Sequence, residues 1–197
     1  MPEVELPNPG ELHERAEESF GRRIALVTAI YAVVLAIASL GGNNAMKDML
    51  LAQQQSSDQW AFYQAKVIRE HLYRVEKMRV EVDLEERGGT LRPEARAKLE
   101  ALRAKLADEE KRYGAEKKDI ERDAKKLEQQ RDVNRDKDPY FDYAEVLLQI
   151  AIVCSSVAIL SSSRPMVLIS AALAVVGALF TINGFLLLVR ISFLQPH

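Results

Sequence analysis

Residues 146–189 read VLLQIAIVCSSVAIL (146–160), SSSRP (161–165) and MVLISAALAVVGALFTINGFLLLV (166–189), and neither apolar run contains a charged residue. The runs are 15 and 24 residues long, and a third, IALVTAIYAVVLAIASL at 24–40, has 17. A helix needs about 20 residues to cross a hydrocarbon core roughly 30 Å thick, so only the 24-residue run spans unaided. The first run gains length if Thr28 and Ser39 return their hydroxyls to the backbone and Gly41-Gly42 carries the helix into the headgroups. The run at 146–160 reaches length by starting at Tyr143, which sets Tyr140, Phe141 and Tyr143 at one interface. Pro139 lies just before those rings and is expected to break any helix arriving from the polar side. The SSSRP segment is too short for anything but a tight turn, so the last two spans form a helical hairpin.

Bulk composition conceals this pattern. A net charge of -2, 28% charged and 48% hydrophobic residues would suit a soluble domain equally well. The distribution decides: residues 45–142 are crowded with Lys, Arg, Glu and Asp, while the three apolar runs carry no charge. The expected organisation is an N-terminal acidic segment (1–23), transmembrane helix 1 (24–42), an extramembrane helical hairpin (43–138) with its tip at 88–92, transmembrane helices 2 (143–160) and 3 (166–190), and a C-terminal tail (191–197). The fold class is all-α, with a long antiparallel coiled-coil hairpin inserted between the first and second spans.

Ala36-Ile37-Ala38 resembles a leader cleavage site, but the preceding 23 residues are acidic, with Glu3, Glu5, Glu11, Glu14, Glu17 and Glu18 against three arginines. The first span therefore reads as a retained anchor. Arg15, Arg22 and Arg23 before it, against Lys47 soon after, place the N-terminus in the cytoplasm and the hairpin outside it. Arg131, Arg135 and Lys137 argue the other way, yet long polar domains cross membranes largely regardless of charge. The only cysteine, Cys154, lies within the second span and forms no internal disulfide.

The polar middle reads as two helices of matching length. Residues 45–87 contain no Pro or Gly; Gly88-Gly89 breaks the run, Thr90 is an N-cap candidate and Pro93 suits a first helical turn. The second helix is expected from about Leu91 to Asp136, which gives arms of about 65 Å at ~1.5 Å per residue. Ala61, Ala65, Ile68, Leu72, Val75, Arg79 and Val82 follow alternating steps of four and three. So do Ala95, Leu99, Leu102, Leu106, Glu109, Tyr113, Glu116 and Ile120. Pairing these two seams across the tip sets Val75 against Leu106, Ile68 against Tyr113 and Ala61 against Ile120. One narrow stripe is a weak core for arms of this length, so neighbouring copies of the chain are expected, making a homo-oligomer.

Trp60, Phe62 and Tyr63 are candidates for an oligomer or partner interface, because rings one, two and three positions apart point to different faces of a helix and one seam cannot bury them all. Small residues near one-turn spacing, Ala25/Ala29 and Ala32/Ala36 in the first span and Ser170/Ala174/Gly177/Thr181 in the third, serve either packing within the chain or contact between copies. Glu145, Gln149 and Asn183 are the polar residues at membrane depth and the candidate pore-lining set, which keeps an oligomeric pore or transporter subunit as the alternative function. No span carries a central charge for a proton relay.

Catalytic signatures are missing from the sequence: no glycine-rich phosphate loop, Cys-x-x-Cys, His-Glu-x-x-His or nucleophile elbow. His13, His71 and His197 are too far apart for a local metal site. Basic and acidic residues interleave along the arms, which describes solvated ion pairing and not a nucleic-acid surface. No enzyme, cofactor, metal or nucleic acid is therefore expected; the partners are the lipid bilayer, further copies of the chain and a protein at the hairpin.

The run Gly41-Gly42-Asn43-Asn44-Ala45, then Leu50-Leu51-Ala52-Gln53, then Ser57-Asp58-Gln59-Trp60-Ala61-Phe62-Tyr63-Gln64-Ala65-Lys66 resembles the central signature of an uncharacterised bacterial inner-membrane protein family, a domain of unknown function of the DUF4337 type. The resemblance covers nearly the whole chain and implies a bacterial inner (cell) membrane location but no reaction, and its signature adds Asp58 and Gln59 to Trp60, Phe62 and Tyr63 as oligomer or partner interface candidates. Together these readings predict a non-enzymatic membrane scaffold or interaction protein that self-associates through its hairpin and spans.

Overall fold

A computed structural model describes residues 9–87 and 89–191, with side chains from Glu18 onward. The described residues are helical throughout apart from two turns and the C-terminal segment, and contain no strand. Helix α1 runs Pro9–Arg87, α2 Pro93–Ser161 and α3 Arg164–Leu186. The helices divide into two compact units. One comprises the described residues up to Asp48 together with those from Val133 onward; the other is Met49–Asp132.

The first unit contains parts of all three helices, and each helix includes a segment long and apolar enough to cross a membrane. The most apolar window of each has only 17%, 28% and 22% of its residues buried within the chain. Leu26, Ile30, Val33, Leu160, Leu168, Val175 and Leu179 instead point outward. Water solvates such a surface poorly and lipid solvates it well.

Where these helices touch, they do so through small residues. Ala38, Ala144, Leu148, Ala151 and Ala174 form the buried cluster. On α3 the buried stripe is Ser170, Ala174, Gly177, Thr181 and Gly184. The small-residue row expected on the third span thus packs within the chain, whereas Ala25, Ala29, Ala32 and Ala36 on α1 are exposed. A Cβ at Gly177 would come 2.8 Å from Leu148 Cγ and 3.2 Å from the Ala144 carbonyl, so the approach of α3 to α2 requires glycine there. Ser155 and Ser170 share a 2.6 Å hydrogen bond, and the Ser170 hydroxyl lies 2.7 Å from the Ala151 carbonyl, which satisfies polar groups that lipid cannot.

Pro139 does not end the second helix: α2 continues through it from the polar segment into the apolar one. The cost of an internal proline, about 3 kcal/mol, is offset by the burial of the next two side chains. Tyr140 and Phe141 are 2% and 1% exposed. Phe141 fills the space left by Gly41 and Gly184, where a Cβ would approach its ring to 2.5 and 2.9 Å, and sits edge-on to Phe185 at 5.0 Å. Burying an aromatic side chain of this size stabilises by about 2–3 kcal/mol.

The turn between α2 and α3 places Ser162 at φ 47°, and Pro165 occupies the start of α3. Helix α3 ends at Leu186, short of the expected 190, on a left-handed Leu187 whose N–H donates to Asn183 O at 2.7 Å. The Asn183 side chain then accepts from Val189 N–H at 2.9 Å and donates to Val189 O at 2.8 Å. Tyr140 Oη donates to the same carbonyl at 3.0 Å and accepts from Ile191 N–H at 2.8 Å. The chain beyond α3 is thereby tied to α2.

Candidate interaction site

The second unit pairs α1 with α2, and its contacts advance along α1 as they recede along α2, from Gln53 with Arg131 to Arg74 with Glu110. Gln53 meets Arg131, Trp60 meets Glu128, Lys66 meets Glu116, Glu70 meets Lys117, and Arg74 meets Glu110. The pair is antiparallel. At the connection, Thr90 N–H, Leu91 N–H and the Thr90 hydroxyl all donate to Arg87 O, at 2.9, 3.1 and 2.9 Å. Thr90 therefore closes the C-terminus of α1 instead of capping α2, which begins at Pro93.

The expected register and the expected face of α1 are both corrected here. On α2 the predicted seam holds except at Leu102, which is 43% exposed: Tyr113 and Ile120 are buried and Ala95, Leu99, Leu106, Glu109 and Glu116 half-buried. On α1 it does not. Ile68, Leu72 and Val75 are 68%, 58% and 60% exposed, and Ala61, Ala65, Arg79 and Val82 are exposed with them. The face of α1 turned to α2 instead includes Ala52, Ser56, Trp60, Tyr63, Lys66, Glu70, Tyr73, Arg74, Lys77 and Val80, all buried or half-buried. Charge explains the choice. An α2 seam containing Glu109, Tyr113 and Glu116, flanked by Glu110 and Lys117, is matched by a face that supplies Lys66, Glu70, Arg74 and Lys77, not by an apolar one.

The centre of this pair is an ionic and aromatic cluster. Glu70, 6% exposed, accepts from Arg74 at 3.0 Å and from Lys117. Glu110 accepts from Arg74 and Lys77, both at 2.7 Å. The Arg74 guanidinium, then the Lys77 ammonium, hold the Glu110 carboxyl below its usual range. Lys66 does the same to Glu116 at 2.5 Å. Tyr113 stacks on Tyr73 at 5.4 Å, and Lys66, Arg112 and Arg69 stand 5.1, 4.9 and 5.9 Å from its ring centroid. Hydrogen bonding from Arg112, then Arg69, lowers the affinity of the Tyr113 phenol for its proton.

The residues singled out as an interface separate onto different faces. Trp60 is half-buried between the helices, where its indole N–H donates to Glu128 at 2.9 Å and its ring meets Tyr63 edge-on at 5.4 Å. Gln59 is half-buried. Asp58 and Phe62 point outward, Phe62 at 50% exposure with the Lys66 ammonium 5.0 Å from its ring. Sequence reasoning missed Glu70 and its partners, although the sequence spacing of Glu70 and Arg74, four apart, was a visible signal.

The pore-lining candidates lie on two helices, Glu145 and Gln149 on α2 and Asn183 on α3. Asn183 is engaged by Val189, Gln149 is exposed on the outside of the helices, and Glu145 is half-buried beside Gly42. Among the described residues, no group of three His, Cys, Asp or Glu side chains is placed to hold a metal ion. His71 is exposed on α1 and Cys154 is half-buried on α2.

The family described as a domain of unknown function (DUF4337) matches residues 20–187, and the chain belongs to it. No curated protein and no solved structure matches the chain.

Proposed function

We propose that this DUF4337 protein is a non-enzymatic scaffold or interaction protein of the bacterial inner membrane, which self-associates through its spans and through a coiled-coil hairpin standing in water between the first and second spans. Membrane insertion of the three apolar segments is supported by their length and by their outward-facing Leu, Ile and Val side chains. The arginines before the first span favour a cytoplasmic N-terminus and a periplasmic hairpin.

The observation that carries the reading lies in the polar unit. Phe62, Ile68, Leu72, Val75, Met78 and Val82 on α1 are each at least half exposed, in a segment otherwise solvated by charge. An apolar stripe of that extent on a water-facing helix marks a protein contact. Measuring the mass of the full chain in mild detergent tests the proposal. More than one chain per particle is the expected result; a single chain at every concentration contradicts it.

A further inference from the structure

We propose that the exposed α1 face formed by Ala61, Ala65, Ile68, Leu72, Val75, Arg79 and Val82 is a parallel coiled-coil seam occupied by the same face of further copies of this chain. The inference rests on the self-association reading above and specifies which surface performs it.

Spacing comes first. Seven positions in strict four-three alternation keep a stripe in line only when helices supercoil about one another, and each such residue then needs a hole formed by a facing helix. Among the described residues no helix supplies that partner, because α2 packs against a different face of α1. The asymmetry between the helices is large. From Met49 to Asp132, the large apolar residues left well exposed are Leu50, Leu51, Phe62, Ile68, Leu72, Val75, Met78 and Val82 on α1, against Leu102 alone on α2. The unmatched surface is thus confined to one helix.

The flanking positions say what covers it. With Ala65, Leu72 and Arg79 at a and Ala61, Ile68, Val75 and Val82 at d, the g and e positions pair Gln64 with Arg69, His71 with Glu76 and Met78 with Asp83 across a parallel interface. None of these pairs opposes like charges, and His71 with Glu76 is complementary. Arg79 is the single charged core position; such a residue fixes register at some cost in stability, and Glu76 and Asp83 stand one helical turn either side to receive it. Copies inserted with one topology carry α1 in one sense, which makes parallel pairing the accessible arrangement and confines the search for a partner to two dimensions.

The test uses the full chain, with Cys154→Ala as background, in lipid vesicles under mild copper-catalysed oxidation. Val75→Cys and Val82→Cys probe the seam, and Lys118→Cys probes the exposed side of α2. All three sites are exposed, so folding within the chain is undisturbed. In a parallel seam, identical d residues face each other at distances a disulfide bridges, so crosslinking at 75 and 82 is expected to run at least about tenfold faster than at 118. Absence of that preference at either seam position overturns the proposal. The parent chain's mass in detergent separates the two levels. Several chains per particle without seam crosslinking leaves self-association standing and removes this face from it, whereas one chain per particle removes both. Ile68→Glu with Leu72→Glu, placed in the Val75→Cys chain, is expected to lower crosslinking at 75 to the rate seen at 118 with unchanged helix content; crosslinking at the parent rate contradicts the assignment.

Discussion

Glu70 on α1 and Lys117 on α2 are ion-paired across the helix pair, and Arg74, one turn along α1, donates to the same carboxylate at 3.0 Å. Glu70 is 6% exposed, so its charge depends on these two cations in place of water. Replacing it by Ala strands both. Because Lys117 and Arg74 keep partial access to solvent, the cost falls at about 1–3 kcal/mol and not at the higher values of a fully enclosed pair. Thermal unfolding of Glu70→Ala, followed by circular dichroism in detergent, is expected to show a lowered midpoint. A double-mutant cycle with Lys117→Ala should return a coupling energy clearly above zero.

Acid sensitivity arises in the same region. Arg74 and Lys77 hold the Glu110 carboxyl below its usual range, and Lys66 does so for Glu116. A carboxyl whose folded pKa is depressed adds stability that is fully present above its unfolded value, about 4.3, and is lost as pH falls through the lower folded value. The helix pair is therefore expected to keep its stability from neutral pH down to about pH 5 and to lose part of it below about pH 4. Arg74→Ala should shrink that acid-dependent loss. A melting midpoint unchanged between neutral pH and pH 3 in the parent protein would contradict this.

Gly177 controls the approach of α3 to α2. An added side chain meets Leu148 and, less yieldingly, the Ala144 backbone carbonyl. Gly177→Leu is expected to destabilise the apolar unit by about 1–3 kcal/mol while leaving the ion-paired unit intact. Loss of protection in amide exchange along α3, without change around Glu70, is the readout.

Tyr140 ties the segment after α3 to α2 through Val189 and Ile191. Tyr140→Phe keeps the buried ring and deletes both hydrogen bonds, at about 1 kcal/mol each. Faster amide exchange at Ile191 is expected, with α2 unchanged. Equal exchange in the two proteins would show that the hydroxyl does not hold this segment.

The architecture was legible where a single physical signal acts alone. Three uncharged runs identified the apolar segments, Gly89 and Pro93 marked the connection between the long helices, and the small residues of α3 marked its packing face. The pairing face of α1 was not legible from apolar spacing. The heptad from Ala61 to Val82 is left exposed, because spacing does not name the partner and the ionic demands of α2 select the Lys66, Glu70, Arg74 and Lys77 face instead. Pro139 misled for a related reason. Its local cost was read correctly, while the burial of Tyr140 and Phe141 that outweighs it depends on Gly41 and Gly184, distant in sequence. Trp60 was expected at a contact between chains because it and its neighbouring rings could not share one apolar seam; the actual seam is polar and accommodates the indole through Glu128.

The central claim is that lipid solvates the outward faces of the apolar segments while water solvates the helix pair. Spin labels at Leu168 on α3 and Lys111 on α2, with the protein in vesicles, test this most directly by collision with dissolved oxygen and with a polar nickel complex. Strong oxygen contact and little nickel contact at 168, with the reverse at 111, is the predicted result. Ready access of the nickel complex to both positions would contradict the account.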